Sequence, residues 1–154
     1  MARALALVAV LLAAGSATAA PRLTEAQARA FVARQDAAWN GRDAAAYFAT
    51  FLPSAVFVAQ ARSNQGGVVP YGRSTLPEAR AQAQRVFARG PFHQASTVDR
   101  VEISPDGLAA RLLGHQVSTT AGRTACAEIE QRLVLARGRM LSTGQTETAV
   151  RCRR

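Results

Sequence analysis

Asp99, Glu147 and His93 carry the side chains in this chain best suited to proton transfer, and Gln131 stands where it could hold them in place. A carboxyl group shielded from water keeps its proton to higher pH and can exchange it with a bound molecule, as in isomerases and dehydratases. Whether these groups can cooperate depends on the face each occupies. Everything after residue 92 reads as extended chain: segments 93–103, 108–118, 124–136 and 140–152 are separated by Ser104-Pro105-Asp106-Gly107, by Thr119 to Arg123, and by Arg137-Gly138-Arg139. Connections this short require antiparallel neighbours, so the four segments form a meander.

Register then follows from the turns. A turn at 105–106 sets Ile103 against Leu108 and Val101 against Ala110, and a turn at 121–122 sets Leu112 against Gln131 and Ala110 against Leu133. The last hairpin is fixed by the cysteines: a loop of Gly138, Arg139 and Met140 sets Cys126 opposite Cys152, within reach of a disulfide. One face then carries Val101, Ile103, Leu108, Ala110, Leu112, Ile129, Leu133, Leu135 and Leu141, and should lie under helices. The other carries Arg100, Glu102, Arg111, His115, Glu128, Glu130, Arg132, Thr146 and Thr148, with His115 and Glu128 as a wet cross-strand ion pair. On the apolar face, Asp99, Leu112, Gln131 and Glu147 fall in one row, with His93 and Thr97 further along. An ionised carboxylate under a helix is costly, so Asp99 and Glu147 must be paired, wetted or lining a cavity. The plainer alternatives are arginine partners, or positions the helices do not reach, and a locally bonded strand start for His93.

The N-terminal half supplies the cover. Thr24-Glu25-Ala26-Gln27 is a capping box, followed at helical spacing by Phe31, Gln35, Ala38 and Trp39, with Asn40-Gly41 as the stop. Asp43 caps a second short helix carrying Tyr47, Phe48 and Phe51, ended by Pro53. Ala55 to Val58 reads as a short strand, and residues 60–73, with Asn64, Gly66, Gly67, Pro70 and Gly72, as a loop over a pocket mouth. Thr75-Leu76-Pro77-Glu78 caps a third helix whose buried stripe is Leu76, Ala79, Ala83, Val86 and Phe87. The fold class is therefore α+β, with three N-terminal helices packed on a strongly curved antiparallel sheet. Trp39 and Tyr47 belong mainly to the core but could each show a polar edge to a pocket.

This order of elements, with the segment AAWNGRDAAAYFATFLPSAVFV, resembles the nuclear-transport-factor-2-like (NTF2-like), or SnoaL-like, superfamily. The resemblance covers residues 23–152 and implies a cone: helices over one face of a bent sheet, with a pocket at the open end. Members include isomerases, dehydratases, epoxide hydrolases, dimeric binding modules and secretion-system components, so the fold does not select the function. The superfamily's catalytic sets, a tyrosine–aspartate oxyanion pair with an aspartate base or an Asp–Arg–Asp triad, have no residue-by-residue counterpart here.

Composition bounds the rest. Residues 1–19 read as an export signal: Arg3, an apolar run from Ala4 to Ala14, then Ala17-Thr18-Ala19 before the cut. The run is too short to span a bilayer. One domain, residues 20–154, would remain, periplasmic or secreted. In an oxidising compartment Cys126 and Cys152 read as a structural disulfide. Every basic residue is arginine; without Arg3, eighteen face ten acids, a net +8. The arginines are scattered rather than striped, which with export argues against nucleic acid. No cofactor or metal motif is present. The reading is an exported, dimeric, non-catalytic domain holding a small apolar molecule through Trp39, Tyr47, Asp99, Gln131 and Glu147. Its rivals are an isomerase or dehydratase using Asp99 or Glu147 with His93, and an interaction module of an envelope or secretion assembly.

Overall fold

A computed structural model describes residues 21–152. The stretch read as an export signal lies outside them. Helix α1 (Glu25–Asn40) opens as its sequence demands: the Gln27 amide donates to Thr24 Oγ1 at 3.2 Å, and the Thr24 amide donates to Gln27 Oε1 at 3.0 Å. It buries Ala28, Phe31 and Gln35. Asp43 caps α2 (Ala44–Phe48) by accepting from the Ala46 amide at 2.9 Å. Thr75 donates through its amide and hydroxyl to the Glu78 carboxylate, both at 2.8 Å, at the start of α3 (Leu76–Ala88).

Six strands form one sheet: β1 (Phe51–Arg62), β2 (Val68–Thr75), β3 (Phe92–Ile103), β4 (Ala109–Thr120), β5 (Arg123–Ala136) and β6 (Arg139–Val150), in the order β2-β1-β6-β5-β4-β3. The α+β class and the antiparallel meander β3 to β6 stand as read. Three corrections apply to the first half. Phe51 opens β1 instead of closing α2, and Pro53 sits in the irregular stretch between Phe51 and Val56, where no ladder bond is asked of it. The supposed loop 60–73 is mostly strand, β1 turning at 63–67 into β2, so β1 and β2 precede α3. Finally, β1 and β6 run parallel, making the sheet mixed.

Register matches the reading between β4 and β5, with Leu112 opposite Gln131 and Ala110 opposite Leu133. At the other two hairpins it differs. The β3–β4 connection, residues 104–108, is five residues long, so Ile103 faces Ala110 and Val101 faces Leu112; a shift of two keeps their faces. The β5–β6 turn is Arg137-Gly138, both left-handed (φ 50° and 74°), the geometry of a two-residue hairpin. Cys126 consequently opposes Val150 rather than Cys152, yet Cys152, two residues on, returns to the same side and the disulfide forms, with Cα atoms 5.2 Å apart. Two further irregularities cannot be counted from turns. Asp99 is an extra residue between Val98 and Arg100, and Thr143 one between Ser142 and Gly144. The two-residue turn sets Leu141 opposite Val134, on the outer face instead of the apolar one, and the Thr143 bulge restores the expected faces beyond it.

The inner face holds two apolar clusters. Leu23, Ala28, Phe31, Ala110, Leu112 and Leu133 close one end under α1; Tyr47, Phe48, Phe51, Ala55 and Ala83 knit α2, β1 and α3 together at the side. Leu112 and Leu133 point in, while Arg111 and Arg132 stay in solvent. Bulges bend the strands that carry them, and the inward backbone comes so close that glycine is required at two crossings. A Cβ on Gly114 would lie 2.1 Å from the Thr97 carbonyl oxygen, and one on Gly144 2.1 Å from that of Val56.

Candidate functional site

Between the two clusters the inner face is polar, and the sheet curls around the gap. Gly72 and Ser74 from β2 and Phe92 and Gln94 from β3, the two edges of the sheet, line the same cavity of about 420 Å³. In a flat sheet those edges would stand roughly 24 Å apart at about 4.8 Å per strand. The helix-side wall is aromatic and aliphatic: Trp39, Tyr47, Phe48, Ala79, Ala83 and Val86, joined by Phe57 and Phe92. Trp39 packs on Tyr47 and Phe87 with ring centres 4.8 and 4.9 Å away. The sheet-side wall is polar, with Gln94, Gln116, Ser118, Thr120, Gln145 and Glu147.

Gln94 and Gln116 on this wall are fixed from behind. Asp36 on α1 accepts from Gln94 Nε2 and Ser96 Oγ, both at 2.8 Å, and from the Ser96 amide at 2.6 Å. Gln116 Nε2 donates to Gln94 Oε1 at 3.0 Å, extending that chain to β4. Deeper under α1, Gln131 Nε2 donates to Gln35 Oε1 (3.1 Å), and Gln35 Nε2 donates to Thr50 Oγ1 (2.8 Å). A space of about 30 Å³ beside Asp36 and Gln131, large enough for a water, shares Tyr47, Gln94, Gln116 and Gln145 with the main cavity.

Glu147 is the only carboxylate among the described residues lining the main cavity. Its side chain keeps open surface, but that surface faces the cavity and protein encloses the rest. Desolvation raises its pKa above the ordinary carboxylate value, opposed by the 2.9 Å hydrogen bond that Gln145 Nε2 donates to Oε1. Tyr47 is pushed the same way, chiefly by burial and further by the negative charges of Glu147 and Asp36, so its phenol is a neutral donor at any physiological pH. The cavity therefore offers hydrogen-bond donors to a neutral acceptor and, once Glu147 ionises, a base. Because the folded state holds this proton more tightly than the unfolded one, stability falls as pH rises through the raised pKa of Glu147. Glu147→Gln should abolish that fall: melting curves are expected to coincide with wild type near pH 4 and to lie a few degrees higher at pH 7.5.

The other expected site residues separate. Trp39, Tyr47 and Glu147 line the main cavity, whereas Gln131 lines only a small adjoining space. Asp99 does not join them. As the extra residue of the β3 bulge it turns to the outer face, where its Oδ2 is 3.1 Å from His115 Nδ1 in an exposed pair. The bulge also reverses the strand before it, so Thr97 faces His115 on the outside and His93 is exposed opposite Thr119. Nor does the polar row form as drawn: Gln131 faces Gln145, and Glu147 faces Ile129. His115 and Glu128 are cross-strand neighbours, but Glu128 pairs with Arg62 from β1. The residues missed are Asp36, Phe57, Gln94, Gln116 and Gln145. Asp36 had a signal, since Val32, Asp36 and Asn40 form a stripe four residues apart beside the buried face. Among the described residues no group of three or more His, Cys, Asp or Glu could hold a metal, and no helix is long and apolar enough to cross a membrane.

No family model and no curated protein sequence matches the chain. Solved structures do. An NTF2-like protein of unknown function from Shewanella oneidensis MR-1 is similar at a TM-score of 0.62 with 15% identity, over 77% of this chain and 93% of that one. Another of unknown function, from Pseudomonas putida KT2440, gives 0.60 with 11% identity, over 82% and 86%. A ketosteroid isomerase-like protein from Erwinia carotovora atroseptica SCRI1043 gives 0.56 with 16% identity, over 84% and 100%. At such identities likeness speaks for architecture alone, and on that evidence the chain has the NTF2-like fold.

Proposed function

We propose that this protein is an exported binding domain that takes a small, largely apolar molecule into its cone. The observation that carries the reading is the cavity of about 420 Å³ between an aromatic helix wall and a sheet wall of amides, hydroxyls and one carboxyl. Pockets of this size and composition, apolar with a few fixed polar groups, suit small organic ligands. The apolar wall supplies affinity by desolvation, and Tyr47 with Glu147 would orient a carbonyl, ether or hydroxyl oxygen. The disulfide supports an oxidising compartment.

Native mass spectrometry of protein purified from its own host tests this directly. A retained small molecule is expected, absent from a Ser118→Trp variant whose indole fills the mouth from the sheet side. Folded wild-type protein that is always empty, and indifferent to apolar probes, would end the proposal.

One observation favours a second reading. Glu147, with its raised pKa beside Tyr47, is placed for proton exchange with a bound substrate, the isomerase or dehydratase chemistry. Of the three candidates, only this carboxyl is in the cavity. Glu147→Gln keeps a donor and loses the base, so binding that survives while turnover of an enolisable ketone disappears would establish it.

A further inference from the structure

The acid inside the cone differs from every other acid in how it is partnered. The inference drawn from this rests on the ligand-binding reading above and narrows it to one kind of polar group. Of the ten acids, Glu25, Glu102, Glu128 and Glu130 each contact an arginine, and Asp99 contacts His115. Asp43 and Glu78 cap helices, Asp106 closes a turn, and Asp36 accepts three hydrogen bonds. Glu147 has one amide donor, Gln145 on Oε1; its Oε2 has no hydrogen-bond partner among the described residues. No arginine among them comes within ion-pair distance of it, although the chain has nineteen. Arg73 borders the cavity, but it stands opposite Val58, on the face alternate to that of Gly72 and Ser74.

The aromatic wall repeats the pattern. Arg34, Arg42 and Arg80 lie over Phe31, Phe92 and Phe48, whereas Trp39, Tyr47 and Phe57 carry no cation among the described residues. These three rings are the ones tied to the carboxyl. Tyr47 feels the charge of Glu147, Trp39 packs on Tyr47 at 4.8 Å, and Phe57 is two residues along β1 from Ala59, the partner of Glu147. A carboxyl beside electron-rich rings in a shielded cavity favours an organic cation, since the opposite charge and the ring quadrupoles both attract it. An organic anion would meet Glu147 as a like charge.

We propose that the cone binds apolar amines, the nitrogen hydrogen-bonded to Glu147 Oε2 and the hydrocarbon body against Trp39 and Phe57. The bound pair is ammonium and carboxylate. Where the carboxyl still carries its proton, that proton passes to a neutral amine, or to solvent when the amine arrives protonated.

Three probes with one skeleton isolate the charge: 1-naphthylmethylamine, 1-naphthalenemethanol and 1-naphthoic acid. Titration calorimetry at pH 8 is expected to show the amine binding about tenfold tighter than the alcohol, with the acid weakest. In E147Q, shown to be folded by its melting curve, that ratio should fall to about one. It should persist in E128Q, which removes a carboxylate from the outer face, and amine binding should be lost in Ser118→Trp. If the alcohol matches the amine in wild type, or E147Q keeps the tenfold ratio, the amine inference fails and the cavity reading stands. Amine binding unchanged in Ser118→Trp would place it on surface carboxylates and end the inference too. If none of the three binds the folded wild type, both readings fall together.

Discussion

Gly144→Ala is expected to lower stability by about 3–5 kcal/mol, the sum of a strained backbone residue and an overpacked contact. Gly144 has φ 149°, and the added methyl would lie 2.1 Å from the Val56 carbonyl oxygen, far inside contact distance. Neither partner can yield, because both are backbone at the place where β6 first pairs with β1 after the Thr143 bulge. The strands would have to separate there, and the pairs that follow, Phe57 with Gln145 and Ala59 with Glu147, hold the polar wall of the cavity. Urea unfolding measures the loss. Gly122→Ala is the control: it is left-handed too (φ 78°) but has nothing within 4 Å of a Cβ, so it should cost only about 1–2 kcal/mol. Equal costs at the two sites would show that the close crossing is not there.

Removing the disulfide is the second large effect. Cys126–Cys152 closes a loop with a sequence separation of 26, for which chain entropy gives about 3 kcal/mol. Cys126→Ser/Cys152→Ser should therefore melt roughly 10 °C below the oxidised wild type. The loss should be local as well as global. The bond ties the start of β5 to the chain just beyond β6, so amides of both strand ends should exchange faster while the Leu133 layer stays protected. Wild type should gain two mass units on reduction and then melt like the double serine variant. Identical melting with and without reductant would contradict this account.

Much of this architecture was legible because it depends on local chemistry. Thr24 and Gln27 specify a helix start wherever they sit, and Asp43 does the same with its own neighbours. Alternation along β4 and β5 put Leu112 and Leu133 inside because the turn between them is the common two-residue kind. The wrongly assigned side-chain faces trace to turn lengths and to inserted residues that shift parity. Nothing in Thr97-Val98-Asp99-Arg100 distinguishes a bulge from regular strand, yet it sends Asp99 and His93 outward. The polarity of Gln94, Gln116 and Gln145 then had no assigned face. Glu147 was found inside because two errors partly cancelled: the shorter turn moves the pairing by three residues and the Thr143 bulge returns one, and the net shift of two slides a side chain along its strand without turning it over. The strand β2 was hidden by composition: Gly66, Gly67, Pro70 and Gly72 read as loop, and an edge strand tolerates such residues where an inner one would not.

The parallel pairing of β1 with β6 also sets the order in which the molecule can be assembled. Gln60 and Thr148, hydrogen-bonded at 2.9 Å, are 88 residues apart, whereas β3 to β6 zip through short hairpins. The ribosome must finish almost the whole chain before the first strand finds its second neighbour. Long-range closure of this kind slows the final step of folding. Nascent chains stopped before residue 139 should therefore remain loose and protease-sensitive in their first half, a state that keeps a polypeptide threadable until its last segment arrives.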